Sequence, residues 1–141
     1  MEQEHSYRKT YTLLVLWIVG LLPSVLLFGF SMEHIGISED ILVKPLLWLI
    51  SLWLVGLFRV IYRTQNIYWI NGISYKQAKE AGEERRKAFA LRHLNAFARV
   101  GMLYTLYIIG SFVFTLPVWA DIGVFMALMI GAAIRTIPFK L

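Results

Sequence analysis

"SMEHIGISED", residues 31–40, places His34 beside Glu33, with Glu39 and Asp40 a few residues on. Imidazole and carboxylates together can hold a divalent cation. This spacing matches no metal motif, however, and it reads as a solvated acidic loop. A second constellation, "RHLN", sets His93 near Arg92 and Asn95, groups suited to a phosphate headgroup. His5 stands alone. There is no G-x-S-x-G elbow, H-E-x-x-H pair or P-loop. The paired carboxylates of membrane transferases and the Lys, Arg and His signature of lipid phosphatases are absent too. With no cysteine in the chain, disulfides, thiolate metal sites, cysteine nucleophiles and iron–sulfur ligation are excluded. The expectation is a non-enzyme with no catalytic residue, no metal and no cofactor.

Coupled transport would need Asp, Glu or His at mid-depth in a membrane, because an ion leaving water needs a charged or dipolar partner. With Asp121 assigned to a turn, the long apolar runs carry only the hydroxyls of Ser24, Ser51, Thr105, Ser111 and Thr115. Such hydroxyls ordinarily bond a carbonyl of their own helix. That argues against a coupled carrier acting alone. A passive pore built by oligomerisation needs no internal charge.

The elements that must position these residues follow from composition. The chain is 58% hydrophobic and 16% charged, against roughly a quarter charged in soluble domains. A domain of 141 residues buries only about two-thirds of its unfolded surface, so lipid is expected to supply the remaining cover. Five Trp and seven Tyr suit water–lipid boundaries. Four runs are long enough to cross roughly 30 Å of hydrocarbon: about 11–31, 41–62, 100–119 and 121–138. The first follows Arg8 and Lys9 as a signal peptide would, but it exceeds an h-region and no small-x-small site follows, so it is read as a span. Pro23 is expected to kink it. Lys44 and Arg59 lie near the two ends of the second run and are expected to snorkel to headgroups, with Pro45 in its first turn. "LPVWADIG" closes a hairpin between the last two runs. The two pairs of spans differ in loop length and proline placement, and no internal repeat is read.

Charge sets the orientation. Of fourteen Lys and Arg residues, Lys44 alone belongs to the side of the 31–41 and 119–122 loops. The positive-inside rule therefore predicts a cell-membrane protein with both termini and the long middle segment in the cytoplasm. Residues 63–99 hold eight Lys or Arg against three Glu, a surplus of five that equals the formal net charge of +5. Ser74 and Gln77 form a capping-box pattern opening a helix near Tyr75, and Glu83 and Lys87 stand in the favourable i, i+4 order. From Lys76 to Lys87 the charges ring the helix. From Ala88 to Val100 they narrow to a stripe of Arg92, Asn95 and Arg99, opposite Phe89, Leu91, Leu94 and Phe97. Such a helix is buried or interfacial.

The reading is an all-α, polytopic membrane protein: one membrane domain over residues 1–141, with four transmembrane helices and a cytoplasmic or interfacial amphipathic helix over about 75–99. Arg85, Arg86, Lys87, Arg92 and Arg99 are assigned to contact with lipid headgroups or a protein partner. Tyr68, Trp69 and Trp119 are assigned as interface anchors, and Tyr104 and Tyr107 as belt residues. Gly123, Ala127 and Gly131 form a small-x-x-x-small stripe for helix packing, with another span of the chain as its first expected partner. The expected function is that of an accessory or structural subunit, or regulator, of a larger membrane protein. A homo-oligomeric channel and a membrane-resident immunity protein are the alternatives. Membrane lipids and a membrane-protein partner or second copy are expected to bind; nucleic acid is not.

Overall fold

The computed structural model describes residues 7–36, 38–70 and 72–141. His5 lies outside them, as do the side chains of Glu39 and Asp40. Five α-helices run α1 Thr12–His34, α2 Glu39–Thr64, α3 Tyr75–Glu80, α4 Gly82–Val113 and α5 Val118–Thr136, with a 3-10 turn over Ile67–Trp69 before α3. Among the described residues there is no strand. Helices α1, α2, α4 and α5 are long and apolar enough to cross a membrane.

Several boundaries differ from the sequence reading. Helix α2 begins at Glu39, because Ile41 and Leu42 already donate backbone bonds to the Ser38 carbonyl. Pro45 consequently lies inside the helix and not in its first turn. The expected helix over 75–99 is two elements. Ser74 does form the capping box with Gln77, but α3 stops after six residues and Gly82 adopts φ 77°. From Gly82 the chain continues unbroken for 32 residues into the third apolar run. At about 1.5 Å per residue, α4 spans roughly 48 Å, well beyond the thickness of hydrocarbon.

Helix α4 also ends earlier than the expected residue 119. The Leu116 amide donates back to the Ser111 carbonyl at 3.0 Å, across Thr115 at φ 49°. This is the Schellman arrangement, with a left-handed residue just past the helix and a proline soon after. Glycine usually fills that position. Threonine there is strained and hides the signal.

Helix α2 is the hub, packing on α1, α4 and α5, while α4 and α5 also pack on each other. Helix α1 leans on α2 and buries no residue of its own. Their contact is reciprocal. The Trp17 indole donates to the Trp53 carbonyl at 3.2 Å and the Trp53 indole to the Trp17 carbonyl at 3.1 Å, with ring centroids 4.9 Å apart. Gly56 lies under Trp17 and Gly20 near Trp53. The residues responsible repeat: Leu16-Trp17-Ile18-Val19-Gly20-Leu21 and Leu52-Trp53-Leu54-Val55-Gly56-Leu57. Contrary to the sequence reading, the first two spans do share a short repeat, and it forms their crossing point.

The main hydrophobic core lies at one end of the four-helix stack. Ile61, Ile67, Tyr68, Ala78, Phe89 and Ala90 form it, with Tyr7, Phe139 and Leu141 packed against it. The chain around Tyr7, the 65–90 segment and the C-terminus thus gather at one end of the bundle, called here the terminal end. The α1–α2 and α4–α5 turns lie at the other, the hairpin end.

Candidate functional site

Three polar side chains meet inside the hairpin end. Lys44, from the second turn of α2, is 6% exposed, and Asp121, from the first turn of α5, is fully buried. The ammonium donates to Asp121 Oδ2 at 2.5 Å and to Ser111 Oγ at 2.5 Å. Its third donor reaches the Leu116 carbonyl at 2.8 Å. Ser111, fully buried near the end of α4, donates in turn to Asp121 Oδ1 at 2.5 Å. One ion pair and one hydroxyl therefore tie α2, α4 and α5 together.

Two expectations are corrected here. Lys44 does not snorkel outward; it turns inward, because a carboxylate of opposite charge is within reach inside the bundle. Asp121, expected where the last hairpin meets the fourth run, lies in the first turn of α5 and faces the interior. An ion pair whose three ammonium donors and two carboxylate oxygens are all hydrogen-bonded is the form in which charge tolerates an apolar interior. The statement that the apolar helices hold hydroxyls alone therefore fails. Of those hydroxyls, Ser24, Ser51 and Thr105 do bond carbonyls of their own helices, whereas Ser111 serves the ion pair. Thr105 also accepts from the Trp48 indole at 2.9 Å.

Above this triad opens a cleft of about 510 Å³, bounded by Ile41, Phe112, Thr115, Leu116, Pro117, Val118 and Trp119, with Lys44 and Ser111 as its polar floor. Trp119, expected as an anchor, is 76% exposed and forms one wall. Deeper in the bundle, Tyr104 is fully buried against Phe125 at 5.4 Å and is a core residue, not a belt residue. The hydroxyls of Tyr104 and Tyr107 have no hydrogen-bond partner among the described residues.

The other expected anchors pack against protein at the terminal end, Trp69 half-buried. Tyr68 is buried; its hydroxyl donates to the Thr10 carbonyl and accepts from the Thr10 amide, both at 2.7 Å. The Trp69 indole donates to the same carbonyl at 2.9 Å. Tyr7, Tyr11, Tyr68 and Tyr75 stack edge and face around them. Burial pushes the Tyr7 phenol up to about 12, against the opposing pull of Arg86.

Arg86 is set apart from the other expected docking residues. Its guanidinium lies 4.2 Å from the Tyr7 ring centre and donates to Gln65 Oε1 and to the Ala78 carbonyl, each at 3.2 Å. It clamps the terminal end and is not presented to a partner. Arg86→Ala is expected to lower stability by about 2 kcal/mol, whereas Arg85→Ala should change it by less than about 0.5 kcal/mol; thermal melts in detergent compare the two.

Arg85, Arg92 and Arg99 are exposed. Their seven-residue spacing places them along one face of α4, about 21 Å from first to last. Lys87 is exposed as well but pairs with Glu83 at 2.8 Å. That bond, first among the causes, holds the Glu83 carboxyl below its usual value. His93 points the other way, 3% exposed, among Phe58, Phe89 and Phe139. Burial lowers its pKa against the opposing bond to the Phe89 carbonyl. The expected grouping of His93 with Arg92 and Asn95 therefore does not form. On α1, Glu33 and His34 are exposed at the helix end.

Gly123, Ala127 and Gly131 all face away from the bundle, and a Cβ at either glycine would meet nothing within 4 Å. The span expected to cover the stripe is not there. The internal close approaches use Gly56 and Gly101 instead, where a Cβ would stand 2.7 Å from Trp17 and 2.8 Å from Val55.

Comparison with known protein families, curated proteins and solved structures finds no match to this chain. Lys44 and Asp121 did leave a trace in the sequence: each is a charge beside an apolar run near the hairpin end, and the two have opposite sign.

Proposed function

We propose that this chain is a non-catalytic, multi-pass membrane protein that acts as an accessory subunit or regulator of a larger membrane partner. Both termini and the basic segment face the cytoplasm. The orientation rests on the thirteen-to-one division of Lys and Arg between the two sides. It is supported by the packing of Tyr7, Phe139 and Leu141 against one common core.

The observation that carries partner assembly is the outward α5 stripe of Gly123, Ala127 and Gly131. Small residues at four-residue spacing let a second helix approach closely and gain dispersion contacts that lipid gives less well. Among the described residues no helix of this chain occupies that face. The exposed Arg85, Arg92 and Arg99 would add contacts to anionic headgroups, at about 1 kcal/mol each, or to acidic groups of the same partner.

The test is native co-purification from membranes in mild detergent. A stoichiometric second protein supports the reading; a complex whose mass is a multiple of the 16.3 kDa chain favours the homo-oligomeric channel instead. Gly131→Leu is expected to reduce recovery of the partner about tenfold or more while leaving the melting temperature of the isolated chain unchanged or slightly raised, since glycine is a poor helix former. Undiminished recovery removes the stripe from the reading.

A further inference from the structure

We propose that the cleft at the hairpin end binds an uncharged amphiphile with a hydroxyl head and an apolar tail. Its volume of about 510 Å³ lies within the range of small-molecule sites, roughly 300–1,000 Å³. Ile41, Phe112 and Trp119, each well exposed, supply apolar walls. The floor decides the class of head group.

Lys44 is positive, but Asp121 cancels its charge at 2.5 Å. An anionic head would leave one uncompensated negative charge in an apolar setting, which is costly. Among the described residues a cationic head finds no accessible carboxylate, because Asp121 is fully buried beneath the floor. A neutral head meets neither penalty.

The ammonium has three donors, all committed: to Asp121, to Ser111 and to the Leu116 carbonyl. The last bond is the longest and the only one to a backbone carbonyl. That carbonyl belongs to the α4–α5 turn, held at Thr115 in a left-handed conformation that β-branched residues rarely adopt and that strained sites retain. A hydroxyl placed between them accepts from Lys44 and donates to Leu116, so no buried group loses its partner. A ketone or ester can accept but cannot donate, and it would leave the Leu116 carbonyl unpaired.

The protein in lipid nanodiscs, titrated with ω-bromododecanol while tryptophan fluorescence is read, tests this. Trp119→Phe supplies the baseline, since bromine quenches only nearby indoles. A saturable component that is lost in Trp119→Phe is expected. It should be roughly tenfold weaker for ω-bromododecanoate, for the matching quaternary ammonium and for bromododecane. Val118→Phe, which fills the cleft without touching the ion pair, should abolish it at unchanged melting temperature. Stronger quenching by the carboxylate overturns the neutral class. Quenching that rises without saturation, or survives in Val118→Phe, overturns the site.

Discussion

Asp121→Ala is expected to destabilise the protein by about 3–5 kcal/mol, the usual cost of leaving one member of a buried ion pair alone. Lys44 would keep Ser111 and the Leu116 carbonyl, but its charge would have no counterion in a site that is 6% exposed. The double variant Lys44→Met/Asp121→Leu should recover most of the loss, because replacing both charges with apolar groups of similar size is often neutral or stabilising. Melting of Lys44→Met, Asp121→Leu and the double variant in one detergent closes the cycle. A double variant as unstable as the sum of the two singles would show that the charges do not act as a pair. Ser111→Ala should fall between wild type and Asp121→Ala, since it removes one hydroxyl but no charge.

Gly56→Ala is the second large effect, expected at about 1–3 kcal/mol. The added methyl would stand 2.7 Å from Trp17 Cζ2 and 3.1 Å from Cη2. The indole cannot yield freely, because its nitrogen is bonded to the Trp53 carbonyl. The loss comes despite alanine's better helix propensity, worth up to about 1 kcal/mol. The repeat supplies its own control. At Gly20 a Cβ would meet Trp53 at 3.6 Å, an ordinary contact, so Gly20→Ala should be neutral or slightly stabilising. Trp17→Phe, which deletes the colliding ring atoms, should relieve most of the strain of Gly56→Ala. Equal losses at Gly20 and Gly56 would contradict the asymmetry of the crossing.

The two predictions separate two kinds of cohesion. The α1–α2 contact depends on shape, an indole over a glycine, and α1 has little else to hold it to the bundle. The triad depends on charge and joins three helices at once. The cleft above it is tied to both the strained Thr115 turn and the Lys44 ammonium. A ligand there would therefore press on the joint that sets how α5 leans on α2 and α4, and the α5 stripe proposed for assembly is on that same helix.

Local chemistry by itself determined the four apolar helices, the concentration of charge in residues 63–99 and the capping box at Ser74. Each depends on composition or on neighbours a few residues apart, and a single chain displays those directly. The tertiary structure decided which polar groups meet. Lys44 and Asp121 are 77 residues apart in the chain, and only the packing of α2, α4 and α5 turns them toward each other. It also sent Arg86 inward and left its neighbour Arg85 outside, closed Tyr68 inside protein, and turned Gly123 and Gly131 away from the bundle. The physical reason is a loss of contrast. Where one side of a helix meets protein and the other is equally apolar, periodicity no longer says which face is which. That knowledge resides in the neighbours each helix acquires when the chain folds.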